Sequence, residues 1–253
     1  MAKIVQIVSG GMDSTTLLYK LLNEKNQIKA ISFNYGQRHS KELSFAQYHC
    51  EKLKIDHEII DISSIIKIFG KDSVLINKDI EVPDGHYEEL VMKKTVVPNR
   101  NMIMLSFATA YCIGKNYDQL GYRAHFGDHA IYPDCRQIFA DALGVAIQLC
   151  DWKEVKLIRP FVNITKGDIA KIGKELKVDY TKTWSCYKGL EKQCGKCGTC
   201  IERREAFYLA DVKDLDINYL PDSPSLAMLV NHDFKISKIE QLARSNYAAA
   251  FVH

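Results

Sequence analysis

The chain has 253 residues, 47% of them apolar and 26% charged, which is enough for one α/β domain and a small appendage around a substantial core. That apolar content, with a net charge of only +3 from 34 Lys plus Arg against 31 Asp plus Glu, excludes a disordered chain and argues against a nucleic-acid coat. The start, Met1 to Val8, carries a single charge and no apolar run of signal-peptide length, and Met102 to Ile113 is too short to span a bilayer, so a soluble, cytoplasmic protein is expected.

In chain order, Lys3–Val8 reads as a buried strand, Ser9–Ser14 as a loop and Thr15–Asn23 as a helix. Ile28–Phe33 is a second strand, Ser40–Leu53 a helix with Leu43, Ala46 and Leu53 on one stripe, and His57–Ile62 a third strand. This alternation predicts a doubly wound α/β fold with a mostly parallel sheet covered on both faces. Residues 70–97 break the pattern with many charges and a Pro83-Asp84-Gly85 turn, and are too long for a plain connection; they read as a functional flap or an insertion. Helical periodicity returns over Asn99–Lys115. Gln119–Phe126 reads as a strand, Arg136–Cys150 as a helix and Lys156–Arg159 as a short strand. Thr165-Lys166-Gly167-Asp168 has the form of a capping box ahead of a helix over Ile169–Leu176, and Ser237–Glu240 repeats that form in the tail.

The most informative stretch is Ser9-Gly10-Gly11-Met12-Asp13-Ser14-Thr15-Thr16, between the first strand and the first helix. Adjacent glycines permit a tight turn with positive φ and a close backbone approach to a ligand. The helix N-terminus that follows favours an anion, and Ser9, Ser14 and Thr15 add hydroxyls, so the loop suits a pyrophosphate. Neither the lysine-bearing P-loop string nor a G-x-G-x-x-G fingerprint is present here. Without the lysine that grips β- and γ-phosphates, the loop fits a reaction at the α-phosphate with pyrophosphate leaving. The plainer alternative is a glycine turn with Ser14 as helix cap.

The eight cysteines are unevenly spread. Cys186-x7-Cys194-x2-Cys197-x2-Cys200 offers four soft ligands at close spacing, with Gly195 and Gly198 letting backbone N–H groups turn toward sulfur. Four thiolates and no open position define a closed, structural zinc site, with an iron–sulfur cluster as the competing reading. Cys135 reads as a buried thiol. His125 and His129 are four apart, but Gly127 between them argues against one helix face, so no metal pair is expected there.

The string Ser9-Gly10-Gly11-Met12-Asp13-Ser14 resembles the pyrophosphate loop of the adenylating N-type ATP pyrophosphatases, which include GMP and NAD synthetases. Four further strings narrow the resemblance: Phe33-Asn34-Tyr35-Gly36-Gln37-Arg38-His39, Val97-Pro98-Asn99-Arg100-Asn101, Tyr132-Pro133-Asp134-Cys135-Arg136 and Thr183-Trp184-Ser185-Cys186-Tyr187. In that order they resemble the 7-cyano-7-deazaguanine synthase family over roughly residues 3–207.

The resemblance implies ATP, Mg2+ and Zn2+ as cofactors, and 7-carboxy-7-deazaguanine and ammonia as substrates. It implies nucleotide and magnesium contacts from Ser9, Gly10, Gly11, Asp13, Ser14, Thr15, Phe33, Tyr35 and Arg38. Catalytic roles fall to Asp13, Lys166 and Arg100, and substrate contacts to Gln37, Arg100, Asn101, Asp128, Tyr132 and Asp134. Asp128 and Asp134 are expected to accept from the guanine-like N–H groups. Plainer readings stay open: Arg100 as an exposed charge or ion pair, Lys166 as a solvated first-turn residue and Asp134 as a cap of the helix beginning near Arg136. The expected division is a nucleotide-binding domain over 1–180 and a zinc-knuckle and helical region over 181–253. Position two is Ala2 rather than cysteine and the length holds no separate glutaminase, so ammonia is expected free or from a partner. The expected partners are small molecules and a second copy in a homodimer, with no membrane and no direct nucleic acid.

Overall fold

The structure, a computed structural model, describes residues 1–69, 72–85, 90–215 and 218–231; the capping-box pattern at Ser237–Glu240 lies outside the described residues. Five strands, β1 (Lys3–Ile7), β2 (Gln27–Asn34), β3 (Asp56–Asp61), β4 (Gln119–Gly121) and β5 (Lys156–Ile158), form one parallel sheet in the order β3-β2-β1-β4-β5. Ile4 of β1 lies opposite Ile28 of β2 and Gln119 of β4, which fixes the register of the three central strands. Because β1 connects outward to β2 and β3 on one side while β4 and β5 lie on the other, the order in which strands are added reverses at β1. A crevice opens there at the carboxyl ends of the strands, where ligands bind in sheets of this kind.

The helices are α1 (Met12–Asn23), α2 (Glu42–Leu53), α3 (Arg100–Gly114), α4 (Gln137–Leu149), α5 (Lys166–Glu175), α6 (Gly198–Leu209) and the short α7 (Leu226–Asn231). Right-handed crossovers put α1 and α2 on one face of the sheet and α3 and α4 on the other. Neighbouring β1 side chains therefore enter different cores. Ile4 joins Leu17, Leu21, Phe161 and Ile169 beneath α1 and α5, and Val5 joins Ile31, Leu105, Ala108 and Leu120 beneath α3.

The doubly wound parallel fold predicted by the strand–helix alternation is the one observed, with local differences. Helix α1 starts at Met12, three residues earlier than its periodicity suggested: Gly11 takes the extended cap conformation (φ −76°, ψ 163°), so Asp13 and Ser14 fall inside the first turn. Strand β4 ends at Gly121 rather than Phe126. Tyr122 N–H still donates to Ile158 O (2.9 Å), but the chain then turns into a 3-10 segment over Phe126–Ala130, anchored by Phe126 N–H to Ile164 O (3.1 Å). At α5 the capping box forms as its spacing required, with Thr165 Oγ1 accepting from Asp168 N–H and Asp168 Oδ2 accepting from Thr165 N–H, each 3.1 Å.

The segment after β3 packs into the main core instead of standing away from it. Val74, Leu75, Val82, Met92 and Val97 are buried with Phe33 and Tyr35 of the β2 end. The cysteine-bearing segment is tied in as closely. Trp184 N–H donates to Gly10 O (2.9 Å), and the buried Arg203 guanidinium donates to Tyr180 O (2.6 Å) and Thr183 Oγ1 (2.8 Å) while lying over the Phe207 ring.

Gly10 shows how tight the loop is. Its φ is +87°, and a Cβ there would lie 2.0 Å from the Glu42 carbonyl oxygen and 2.8 Å from Ala46 N, both backbone atoms of α2. Gly10→Ala is expected to cost at least about 2 kcal/mol in denaturant unfolding, from left-handed strain and displacement of α2. Gly114→Ala meets open space at the end of α3 and is expected to be neutral or slightly stabilising.

Candidate active site and four-cysteine centre

Two adjoining cavities open on the crevice. The inner one, about 760 Å3 with its open mouth included, runs from Val8 and Ser9 past Phe33 and Tyr35 to Arg100, Met104 and Leu105 of α3. The outer one, about 460 Å3, lies over the glycine loop and is lined by Asp13, Asp128, Lys166, Trp184 and Ser185. Ser9, Ser14, Glu42, Arg123 and Tyr187 line both and mark the passage between them.

The loop is braced from within. Ser14 Oγ accepts from Ser9 N–H (3.1 Å) and donates to the Gly11 carbonyl (3.2 Å), and Ser9 Oγ accepts from Gly11 N–H (3.3 Å). Asp13, in the first turn of α1, faces a buried charge cluster. Lys166 Nζ, at the start of α5, lies 3.4 Å from Asp13 Oδ2 and 2.6 Å from Glu202 Oε2 of α6. Burial opposes the charge on Lys166, but Asp13, Glu202 and Asp128 outweigh it and raise its pKa, so the residue stays cationic. Arg123 Nη1 pairs with Asp128 Oδ2 at 2.9 Å. His125 is fully buried; its Nδ1 accepts from Gly127 N–H (3.1 Å), which puts the ring proton on Nε2, 3.7 Å from Asp13 Oδ2 and 3.6 Å from Asp128 Oδ1.

Two oxygens of the loop remain buried without a hydrogen-bond partner among the described residues, Asp13 Oδ1 and Thr15 Oγ1. A buried carboxylate oxygen of this kind is costly unless something binds it, and it fits a hard cation such as magnesium.

Several expected contacts are positioned differently. Arg38 Nη2 donates to Asn77 O and Ile80 O, both at 2.8 Å, so it clamps the segment after β3 and does not line either cavity. Gln37 turns onto its own backbone, accepting from Tyr35 N–H (3.0 Å) and donating to Phe33 O (3.2 Å). Asp134 Oδ2 accepts from Asn101 N–H (3.3 Å) at the start of α3, not from the helix that begins after Arg136, whose cap has no side-chain hydrogen bond. Tyr132 hydrogen-bonds to Thr95 Oγ1 (2.5 Å). Arg100 and Asn101 do line the inner cavity, and Arg100 Nη1 lies 3.5 Å from the Tyr35 hydroxyl.

Four residues were missed from sequence. Arg123, Glu202 and Glu42 are single charges in unremarkable strings, and His125 was set aside with His129. Glu42 is the most informative. Its side chain is 13% exposed, its Oε1 lies 3.3 Å from Gln37 Nε2 and 3.5 Å from His39 Nε2, and burial raises its pKa to about 7 against the weaker opposing effects of Gln37, Arg100 and Arg123. His39 is pushed the other way, to about 3, by burial and then by Arg100 and Arg38, and is neutral.

The four cysteine sulfurs lie within 4.8 Å of one another, all buried, and are the one metal-ligating group of this kind among the described residues. Cys194 and Cys200 sulfurs are 3.9 Å apart, close to the ~3.8 Å edge of a tetrahedron with metal–sulfur bonds of about 2.3 Å. Backbone N–H groups of Lys196 and Cys197 donate to Cys194 Sγ (3.4 and 3.3 Å), as a metal-binding knuckle requires. Cys200 lies in the first turn of α6, two residues before Glu202, so the centre and the charge cluster share one helix.

Since Glu42 binds its proton more tightly in the folded chain than in the unfolded one, it makes stability fall as pH rises from about 4.5 to about 7. Glu42→Gln lacks that titration. Its stability relative to the unsubstituted protein is expected to improve by on the order of 3 kcal/mol between pH 4 and pH 8 in urea unfolding, the equivalent of the shift; a pH-independent difference would contradict the assignment.

A family model described as "Queuosine biosynthesis protein QueC" matches residues 3–211. Proteins named 7-cyano-7-deazaguanine synthase from Methanoregula boonei and Caldicellulosiruptor saccharolyticus are each 53% identical over 84% of this chain, covering 97% and 93% of their own lengths. Another from Hahella chejuensis is 50% identical over the same share of this chain and 91% of its own. With its glycine loop at the strand-order reversal and its buried four-cysteine centre, the chain belongs to the 7-cyano-7-deazaguanine synthase family.

Proposed function

We propose that the chain converts 7-carboxy-7-deazaguanine and ammonia into 7-cyano-7-deazaguanine, using two ATP molecules and passing through an adenylated acid and an amide. The observation that carries the reading, beside family membership, is Asp13: a buried carboxylate with one unpartnered oxygen, inside the glycine loop and beside Lys166. That placement suits α-phosphate chemistry with pyrophosphate departing.

The nucleotide occupies the inner cavity, with the adenosine between the β1 end and α3 near Phe33 and Tyr35. Its phosphates lie on Ser9, Gly10, Gly11, Ser14 and Thr15. Asp13 holds magnesium, which when bound spreads the charge of the phosphates. A carboxylate oxygen of the acid forms a bond to the α-phosphorus and pyrophosphate leaves. Ammonia then adds to the acyl carbon, and AMP departs with the original carboxylate oxygen, leaving the amide. In the second round the amide oxygen attacks a new α-phosphorus; loss of AMP and two protons from the carboxamide group leaves the nitrile. Lys166 and Arg123 stabilise charge that grows on the phosphoryl oxygens, and Arg100 guides the acid or the phosphates from the inner side.

The four cysteines hold zinc on this reading. The ion would cross-link the segment from Cys186 to the start of α6 and so hold Glu202 against Lys166. About one zinc per chain is expected in metal analysis, whereas iron with a visible absorption band would contradict the assignment.

The direct test is incubation with the acid, ATP, magnesium and an ammonium salt, followed by mass spectrometry. Nitrile with two AMP per turnover is expected. Accumulation of amide alone, or no AMP release with this acid, would contradict the reading. Asp13→Ala is expected to lower AMP formation by about 100- to 1,000-fold, the scale of a lost transition-state electrostatic group, while zinc content stays unchanged.

A further inference from the structure

We infer that Glu42 is the specificity residue for the base: its carboxylate accepts hydrogen bonds from the N1–H and 2-amino group of the guanine-like edge at the passage between the two cavities. This rests on the proposed function for the substrate class and goes beyond it in naming the residue and the ligand atoms it reads.

The cavities offer few carboxylates for that edge. Asp13 belongs to the phosphate loop and faces Lys166. Asp128 Oδ2 is engaged by Arg123 at 2.9 Å. Asp134 lines neither cavity and caps α3. Glu42 lines both. Its two contacts, with Gln37 and His39, are long at 3.3 and 3.5 Å and both fall on Oε1, so Oε2 makes none among the described residues. An ionised carboxylate accepts only, and its two oxygens are spaced to meet two parallel N–H donors, the arrangement that the guanine edge presents and a 2-desamino base does not.

The surroundings favour a flat, neutral ligand. Tyr187, which lines both cavities, lies against the neutral His39 ring at 5.3 Å and offers an aromatic wall beside Glu42. The main-chain position is rigid, because Glu42 O packs on Gly10, so a base held by this carboxylate is held in register with the phosphate loop. Burial raises the Glu42 pKa to about 7, and two N–H donors would favour the ionised form, so binding of the base would lower that pKa.

The experiment is a cycle between one side chain and one ligand group, read by calorimetric binding without ATP. The holoprotein and its Glu42→Gln variant, each checked for metal content and thermal unfolding, are titrated with 7-carboxy-7-deazaguanine and with its 2-desamino analogue. The unsubstituted protein is expected to bind the analogue about 10- to 100-fold more weakly, the scale of hydrogen bonds to a charged acceptor. In Glu42→Gln that ratio is expected to fall below about 3-fold. Equal binding of the two ligands by the unsubstituted protein overturns the inference whatever the variant does. So does a ratio that survives in Glu42→Gln. Discrimination that is lost while the acid still yields no AMP would separate the two claims, supporting Glu42 as the reader of the base and contradicting the proposed reaction.

Discussion

A lysine ammonium almost removed from water must be surrounded by carboxylates, and in this chain that requirement organises the site. Lys166 brings Asp13 of α1 and Glu202 of α6 to its ammonium at 3.4 and 2.6 Å, so helices α1, α5 and α6 meet at one cation. Removing one partner from such a cluster typically costs about 3–5 kcal/mol, because the charge left behind is uncompensated. The cluster is therefore an assembly constraint and an electrostatic device together. It holds the first turn of α1 in place, and it fixes an ammonium beside the loop where phosphoryl charge would develop.

The remaining geometry follows from where the strand order reverses. The sheet order leaves a crevice at the end of β1, and the glycine loop turns sharply enough to place an N-terminus of α1 there. The same turn is pressed against α2, with the Gly10 backbone under the Glu42 carbonyl and the Trp184 amide on the Gly10 carbonyl. Segments from three distant parts of the chain thus share one small turn. The four-cysteine centre is continuous with this arrangement through α6, since Cys200 and Glu202 are separated by a single residue.

Much of this was legible in the sequence, for local reasons. The glycine loop, the parallel α/β alternation, the Thr165–Asp168 capping box and the cysteine spacing are short-range patterns, each with a mechanism confined to a few residues. The functions of isolated polar residues were harder to read. Arg38 and Gln37 have the chemistry of ligand contacts and sit in a family-like string, yet they satisfy backbone carbonyls of the neighbouring segment and strand end. Conversely Glu42, Arg123 and Glu202 gain their meaning from burial and from partners far away in sequence. The helix start at Met12 was missed because a glycine cap leaves no side-chain signal.

The central claim is that both ATP molecules are attacked at the α-phosphorus by oxygens that began on the acid. Turnover of 7-carboxy-7-deazaguanine labelled with oxygen-18 in both carboxylate positions tests it most directly. Each of the two AMP molecules should carry one labelled oxygen, with none in pyrophosphate and none in water. Label in pyrophosphate, inorganic phosphate or solvent, or AMP without label, would contradict the account.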